Sequence, residues 1–180
     1  MKVVSIVGMA GSGKSEVARI FEGNGFKKVR FGDVTDEEVK KRGLKLNEEN
    51  ERYVRQQLRE EYGMAAYAEL NLPRIDALLQ SSGVVIDGLY SWEEYTLLKS
   101  RYDDDFHVVA VWASPETRYK RLSKRAVRPL TMEEAAGRDV AELESTNKGG
   151  PIAMADFTII NEASLEDLER ETKKVISVLR

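Results

Sequence analysis

Apolar residues recur along the chain in two patterns: short continuous runs, and longer stretches with helical spacing. Residues 3–7 form a short, mostly β-branched run with one polar residue, as expected of a strand buried on both faces. Similar runs predict further strands over 26–31, 84–86, 106–112 and 157–160. We expect Trp112, at the end of the run 106–112, to lie in the core. Because helical stretches separate these runs, the pattern predicts a parallel sheet covered by helices.

The predicted helices carry local start signals. Residues 91–94, 131–134 and 164–167 each place Ser or Thr three positions before Glu or Asp, the spacing of a capping box or its Asp variant. Ser114 precedes Pro115, which suits an N-cap followed by proline in the first turn. The last helix, over 165–179, repeats apolar residues at helical spacing and should pack on the sheet.

Two stretches interrupt the alternation of strands and helices. Residues 33–81 hold about fifty residues of helical pattern between the second and third strands, far more than one crossover needs. Residues 126–150 are polar and contain three glycines. We expect a single domain over 1–180 in which both stretches are helical insertions that close over a substrate.

Composition narrows the function classes. The 180 residues include 28 Lys and Arg, 31 Asp and Glu, one His and no Cys, for a formal charge of −3. The absence of cysteine excludes disulfides, thiolate metal sites and a cysteine nucleophile, and near-neutral charge argues against nucleic-acid binding. No apolar run is long enough for a membrane span, and the first residues do not resemble a signal peptide. We therefore expect a cytoplasmic protein.

A glycine-rich motif follows the first predicted strand and opens a helix. The pattern G-x-x-x-x-G-K-S comprises Gly8, Met9, Ala10, Gly11, Ser12, Gly13, Lys14 and Ser15. Glycines let consecutive backbone N–H groups curl around phosphate oxygens, and the helix directs its positive end to the same anion. In such a Walker A loop, Lys14 would neutralise the β- and γ-phosphates of a nucleotide and the Ser15 hydroxyl would bind Mg²⁺.

Further motifs extend the match over nearly the whole chain. Gly32-Asp33 ends the second strand and Ile86-Asp87-Gly88 ends the third. Segment 114–125 follows the fourth strand, and segment 155–165 contains the fifth strand and the loop after it. With these motifs the sequence resembles P-loop kinases of small molecules, namely nucleoside monophosphate (adenylate) kinases and dephospho-CoA kinase. The resemblance implies a three-layer fold whose five parallel strands run in the order 2-3-1-4-5, with ATP and Mg²⁺ at their carboxyl ends. It also implies an acceptor-binding insertion over 33–81, a lid over 126–150, and a loop containing Asn161 beside the adenine.

Two aspartates follow strands that end at the edge of the sheet where the phosphate loop begins. We assign Asp87 to the magnesium shell and Asp33 to positioning or deprotonating the acceptor. The alternative for each is that it only caps the following helix.

Basic residues cluster around the predicted lid. Three of them are spaced i, i+3 and i+7, so they share a helix face; the full set is Arg118, Arg121, Arg125, Arg128 and Arg138. Arginines at this place would stabilise the equatorial oxygens of the phosphoryl group in flight, and we favour Arg121 and Arg125. Alternatively, these arginines form a solvated face paired with nearby glutamates.

The sequence departs from adenylate kinases where those enzymes bind the acceptor's phosphate. Two arginines of that family correspond to Asp36 and Ser91 here. Arg52, Arg55 or Arg59 could replace them. Alternatively, these three arginines simply pair with glutamates on the same helix.

We expect a kinase that transfers the γ-phosphate of ATP to a nucleotide-like acceptor, with a monomer favoured. A P-loop ATPase or nucleotide-sensing module without a dedicated acceptor is the alternative.

Overall fold

The sheet is formed by five parallel strands. The computed structural model describes residues 1–126 and 129–180. Its strands are β1 (Val3–Val7), β2 (Lys27–Arg30), β3 (Val84–Asp87), β4 (Phe106–Trp112) and β5 (Phe157–Ile160). They lie in the order β2-β3-β1-β4-β5, and every neighbouring pair is parallel. The predicted fold class and strand order are therefore confirmed.

Helices connect the strands and surround the sheet. In chain order they are α1 (Lys14–Gly23), α2 (Asp33–Lys41), α3 (Glu48–Tyr62), α4 (Ala66–Leu78), α5 (Trp92–Tyr102), α6 (Pro115–Ser123), α7 (Met132–Thr146), α8 (Gly149–Ala153) and α9 (Leu165–Leu179). A short 3₁₀ turn, Asp103–Asp105, leads from α5 into β4. Among the described residues, no helix is both long and apolar enough to cross a bilayer.

Alternate residues of the central strand supply two hydrophobic cores. Val3 and Val7 face one core, which helices α3, α4 and α5 complete. Val4 and Ile6 face the other, which α1 and α9 complete. All five residues of β1 are buried because helices cover both faces of a parallel sheet. The sheet is thus a rigid support for the loops at its carboxyl ends.

The four predicted helix starts are confirmed. Ser91, Thr131 and Ser164 each accept a hydrogen bond from the backbone N–H three residues later, and all three capping boxes are complete. Ser114 caps α6, with Pro115 in its first turn. The last helix covers the predicted span and buries one apolar face.

Two local expectations differ from the structure. β2 is shorter than predicted, because Phe26 and Phe31 lie just outside the ladder although both are buried. The expectation that Trp112 lies in the core is wrong, since 48% of its surface is exposed. Trp112 ends β4 opposite Ile160, which ends the edge strand β5, so its side chain stands where the sheet itself stops.

The two interrupting stretches are helical. Residues 33–81 contain α2, α3 and α4, and residues 126–150 contain α7 and the start of α8. Val127 and Arg128 lie outside the described residues. The roles of these stretches as acceptor insertion and lid segment stay predictions.

Candidate active site

The parallel strands bring four sequence-distant segments to one edge of the sheet. The phosphate loop begins directly after β1, and Asp87 at the end of β3 lies opposite Ile6 of β1. Asn161 directly follows β5, and its backbone N–H donates to the Trp112 carbonyl oxygen at 2.7 Å. The loops after these strands therefore meet at the carboxyl edge, where open α/β sheets have their ligand-binding crevice.

Glycine is required where the phosphate loop turns. Gly8, Gly11 and Gly13 have φ angles of +144°, +80° and +103°, which residues with a side chain rarely adopt. A Cβ on Gly11 would lie 2.8 Å from the carbonyl oxygen of Arg118. The loop conformation and its close packing on α6 both depend on these glycines.

Three side chains hold carbonyl oxygens of the phosphate loop. The Lys14 ammonium donates to the Met9 carbonyl at 3.0 Å. The Arg118 guanidinium donates to Ala10 at 3.1 Å, and the Asn161 amide donates to Ser12 at 2.8 Å. These donors come from three different elements, so they fix the loop from several sides.

The start of α1 completes an anion-binding arrangement. Gly13 is the N-cap, and the α1 residues Lys14 and Ser15 open the helix, where backbone N–H groups have no partner within the helix. Such N–H groups and the helix dipole favour an anion at this position. The arrangement can bind the phosphates of a nucleotide.

Asn161 and Arg121 form a second layer beside the loop. Asn161 is 7% exposed, and its amide is used to hold Ser12. Arg121 donates from one terminal nitrogen to the Asn161 carbonyl oxygen at 3.0 Å. The other terminal nitrogen is buried and has no hydrogen-bond partner within the described residues. Arg125 is exposed just after the end of α6.

Arg118 connects the phosphate loop to the lid segment. It is 4% exposed and forms a bidentate ion pair with Asp139 of α7, with N–O distances of 2.9 and 2.6 Å. Tyr119 also donates to this carboxylate at 2.9 Å. Ala135 of α7 packs with Ala10 of the loop in a small apolar cluster. Arg118 therefore anchors α7 instead of offering a free cation.

A buried lysine of the lid segment lies over the crevice. Lys148 is 2% exposed, and its ammonium binds the Glu142 carboxylate at 2.6 Å. It also lies 5.5 Å from the ring centre of Tyr90. Burial, followed by the positive charge of Lys148, lowers the pKa of Lys14 to about 7, while Glu142 and Asp87 act in the opposite direction. The charges of Lys148, Glu142 and Asp87 therefore all act on the Lys14 ammonium.

Tyr90 lies between the candidate magnesium ligand and the lid. Its hydroxyl covers Gly88, where a Cβ would approach it to 2.7 Å. Burial raises the pKa of Tyr90 to about 12, and the negative charge of Asp87 contributes to this shift. The hydroxyl therefore stays protonated and can donate a hydrogen bond next to Asp87.

Asp33 is paired with an arginine on the acceptor side. Arg30, the last residue of β2, donates to Asp33 at 2.9 Å and to Asp36 at 3.0 Å. Asp36, which corresponds by resemblance to an arginine of adenylate kinases, thus pairs with a cation from the preceding strand. Ser91, the second such position, caps α5.

The arginines of α3 differ in their surroundings. Arg55 pairs with Glu48 at 2.7 Å and with Glu51 at 3.6 Å, which agrees with a structural role. Arg59 lies 5.7 Å from the ring centre of Tyr67. Arg52 is exposed.

Glu94 organises the loop after β3 from a fully buried position. One of its carboxylate oxygens accepts from the backbone N–H of Tyr90 at 2.7 Å and of Ser91 at 3.3 Å. Burial raises the pKa of this carboxyl from 4.5 to about 7, and the two backbone donors only partly counteract the effect. The capping box therefore contains a carboxyl that ionises near neutral pH.

The crevice includes residues that the sequence analysis did not select: Arg30, Tyr90, Glu142 and Lys148. Lys148 precedes two glycines in the polar stretch 126–150, and Arg30 ends a strand three residues before Asp33. Both signals were readable in the sequence. Only the folded chain brings Glu142 and Lys148 over the phosphate loop.

Comparisons with known proteins agree with this architecture. The AAA domain family matches residues 4–142. UPF0200 protein TK1334 of Thermococcus kodakarensis is 40% identical over 97% of this chain and 96% of its own length. A UPF0200 protein of Thermococcus gammatolerans is 39% identical over 97% of this chain and 93% of its own.

Solved structures share the fold at low sequence identity. TT1252 from Thermus thermophilus has a TM-score of 0.70 and 22% identity, covering 99% of this chain and 98% of its own. A gluconokinase from Sinorhizobium meliloti 1021 has a TM-score of 0.61 and 18% identity, covering 99% and 93%. A shikimate kinase from Bacteroides thetaiotaomicron has a TM-score of 0.61 and 14% identity, covering 99% and 98%.

The sheet order, the loop and these likenesses define a P-loop protein with the fold of small-molecule kinases and an AAA domain. By its sequence relatives, the chain belongs to the UPF0200 family.

The buried ion pair between Arg118 and Asp139 should be essential for stability. Asp139→Asn leaves Arg118 without a full counter-charge in a buried site, so we expect a loss of about 3 kcal/mol in the free energy of unfolding. Urea denaturation measures this loss. Glu144→Gln, on an exposed position of the same helix, is the matched control, and equal stability of both variants would contradict the anchoring role.

Glu94 should make stability depend on pH. Its pKa is raised from 4.5 to about 7 on folding, so the folded state holds a proton that the unfolded state releases between these values. Stability therefore decreases as pH rises through this window, by up to about 3 kcal/mol. Glu94→Gln removes this loss, so its stability relative to wild type should be more favourable at pH 8 than at pH 5.

Chemical denaturation at both pH values measures the effect. Glu69→Gln, an exposed carboxyl on α4, is the control, and its difference from wild type should stay constant. An equally constant difference for Glu94→Gln would show that this carboxyl does not titrate in the window.

Proposed function

We propose that the protein is a Mg²⁺-dependent kinase that transfers the γ-phosphate of ATP to a small nucleotide-like acceptor. The observation that carries this proposal is the phosphate loop, whose carbonyl oxygens are held by Lys14, Arg118 and Asn161. A loop fixed in this way offers its N–H groups to an anion without reorganising, which is the main contribution of a protein to phosphoryl transfer.

The metal would be shared between the protein and the nucleotide. The Ser15 hydroxyl at the start of α1 and the Asp87 carboxylate at the end of β3 are oxygen ligands of the kind that Mg²⁺ prefers. Burial lowers the pKa of Lys14, and the negative charge of Asp87 partly opposes this shift, which supports a position of Asp87 near Lys14. A bound Mg²⁺ would neutralise charge on the phosphates.

The acceptor would enter between the phosphate loop and the insertion over 33–81. An acceptor hydroxyl or phosphate oxygen attacks the γ-phosphorus, a new P–O bond forms, and the bond to the β-phosphate oxygen breaks to release ADP. Asp33 orients the acceptor and takes its proton where that oxygen carries one. Arg30, which pairs with Asp33 and Asp36, would bind an anionic group of the acceptor.

The acceptor class rests on resemblance to nucleoside monophosphate kinases and dephospho-CoA kinase. Gluconokinase and shikimate kinase share the fold, so gluconate and shikimate belong in the same acceptor panel. Arg121 and Arg125 are proposed to contact the transferring phosphoryl group, and Asn161 to lie beside the adenine.

A second function is favoured by one observation. Asp36 and Ser91, at the two family positions for acceptor-binding arginines, are used within the protein, the first by Arg30 and the second as a helix cap. An ATPase or nucleotide sensor would need no such clamp. ADP release that is the same with every acceptor in the panel would support this second function.

Lys14→Ala should abolish acceptor-dependent ADP release and weaken ATP binding, because it removes the cation nearest to the β- and γ-phosphates. ADP release and ATP titration measure the two effects, and circular dichroism verifies the fold. Lys173→Ala, which changes an exposed side chain of α9, is the control. Near-normal turnover in Lys14→Ala would contradict the assignment of the nucleotide site.

Substitutions of Asp33 and Asp87 should affect turnover in different ways. Asp87→Asn should lower turnover with little change in acceptor binding, and higher Mg²⁺ should partly restore it. Asp33→Asn should lower acceptor-dependent turnover by about 10²–10⁴-fold if proton removal is demanding, with ATP affinity nearly unchanged. A smaller loss would indicate orientation.

Steady-state kinetics with varied ATP, acceptor and Mg²⁺ resolve these cases. Asp104→Asn, on the turn before β4 at the opposite edge of the sheet, is the matched control. Full activity of both Asp33→Asn and Asp87→Asn would show that these carboxylates are only helix caps.

A further inference from the structure

We propose that Glu142 is a built-in counter-ion that stands in for a nucleotide phosphate, and that nucleotide binding transfers Lys148 and Arg138 from its carboxylate to the phosphates. This inference rests on the proposed nucleotide site and assigns binding residues of the lid segment that the sequence analysis did not select as a set.

The Glu142 carboxylate holds two cations with its two oxygens. One oxygen lies 2.6 Å from the Lys148 ammonium, and the other accepts from the Arg138 guanidinium at 3.0 Å. The side chains of Lys148 and Glu142 are 3% and 17% exposed. A buried ammonium needs a partner of opposite charge. The carboxylate meets this need as a phosphate oxygen would.

This cluster is connected to the phosphate loop through α7. Asp139 fixes α7 to Arg118, which itself donates to the loop carbonyl of Ala10. Glu142 lies three residues further along the same helix, and residues at this spacing share a face. α7 therefore presents Glu142 on the side where the loop lies.

Lys148 is fixed from the other side of the crevice. Its ammonium lies 5.5 Å from the ring centre of Tyr90, which precedes α5. Gly150, two residues after Lys148, packs so closely on Trp92 of α5 that a Cβ there would lie 2.7 Å from the indole ring. Lys148 is thus a positioned group and not a mobile surface lysine.

The charges of this cluster act on the phosphate-binding lysine. Burial lowers the pKa of Lys14 most, Lys148 and Arg138 lower it further, and Glu142 and Asp87 partly oppose this shift. These five side chains amount to three cations and two carboxylates. Phosphates that enter the crevice are attracted by the cations and repelled by Glu142. The energetically favourable outcome is an exchange, in which the phosphates take the cations and Glu142 is released.

An ordinary structural ion pair would respond differently to mutation. If Glu142 only stabilised the lid segment, its removal would loosen Lys148 and Arg138 and would weaken nucleotide binding or leave it unchanged. If Glu142 competes with phosphate, its removal leaves the cations without a partner until a nucleotide arrives. Binding then becomes tighter.

The test measures the affinity of a non-hydrolysable ATP analogue by calorimetry at fixed, low ionic strength. Glu142→Gln should bind the analogue about tenfold more tightly than wild type, and Lys148→Gln about tenfold more weakly, within the usual range of coupling between sites. In the double variant the gain from Glu142→Gln should shrink, because part of that gain depends on Lys148. Glu144→Gln, exposed on the same helix, should stay within about twofold of wild type, since exposed charges contribute little.

Affinity of Glu142→Gln equal to or weaker than that of Glu144→Gln would overturn the inference. If Glu142→Gln does not fold, the affinity of Lys148→Gln tests the inference by itself. An affinity of Lys148→Gln equal to that of wild type would also overturn the inference. Failure of the proposed nucleotide site is distinguishable: in that case wild type does not bind the analogue, or Lys14→Ala binds it as wild type does.

Discussion

The candidate site depends on the side chains that hold the carbonyl oxygens of the phosphate loop. Lys14, Arg118 and Asn161 each donate to a different carbonyl oxygen of the loop, at 2.8 to 3.1 Å. They belong to the start of α1, to α6 and to the turn after β5. Because unpaired carbonyls in a buried loop are costly, these donors select one loop conformation, and that conformation is the one the positive-φ glycines permit.

The same constraint positions the lid segment. Arg118 is buried, so it needs a counter-charge. The Asp139 carboxylate of α7 is that counter-charge, and it accepts two hydrogen bonds from Arg118. The helix that satisfies Arg118 therefore carries Arg138 and Glu142 to the phosphate loop. Arg118 therefore links the conformation of the phosphate loop to the position of α7. As proposed above, this coupling lets the lid respond to an anion in the loop.

The acceptor side is built on different contacts. Glu94 organises the turn after β3 by accepting two backbone hydrogen bonds, and this turn places Tyr90 next to Asp87. Arg30 stands between Asp33 and Asp36, so a cation and carboxylates alternate where adenylate kinases have arginines.

The sequence by itself determined the strands, the phosphate loop and the helix starts, because each is encoded by neighbouring residues: β-branched runs, glycines at fixed spacing, and Ser or Thr three positions before an acid. It also indicated the sheet order through resemblance and placed Lys14 and Asp87 at the same edge. The tertiary structure alone decided that Arg118 forms an ion pair with Asp139, that Lys148 is buried against Glu142, and that Trp112 is exposed. These outcomes depend on contacts between distant segments, and no local pattern records which charge will meet which partner.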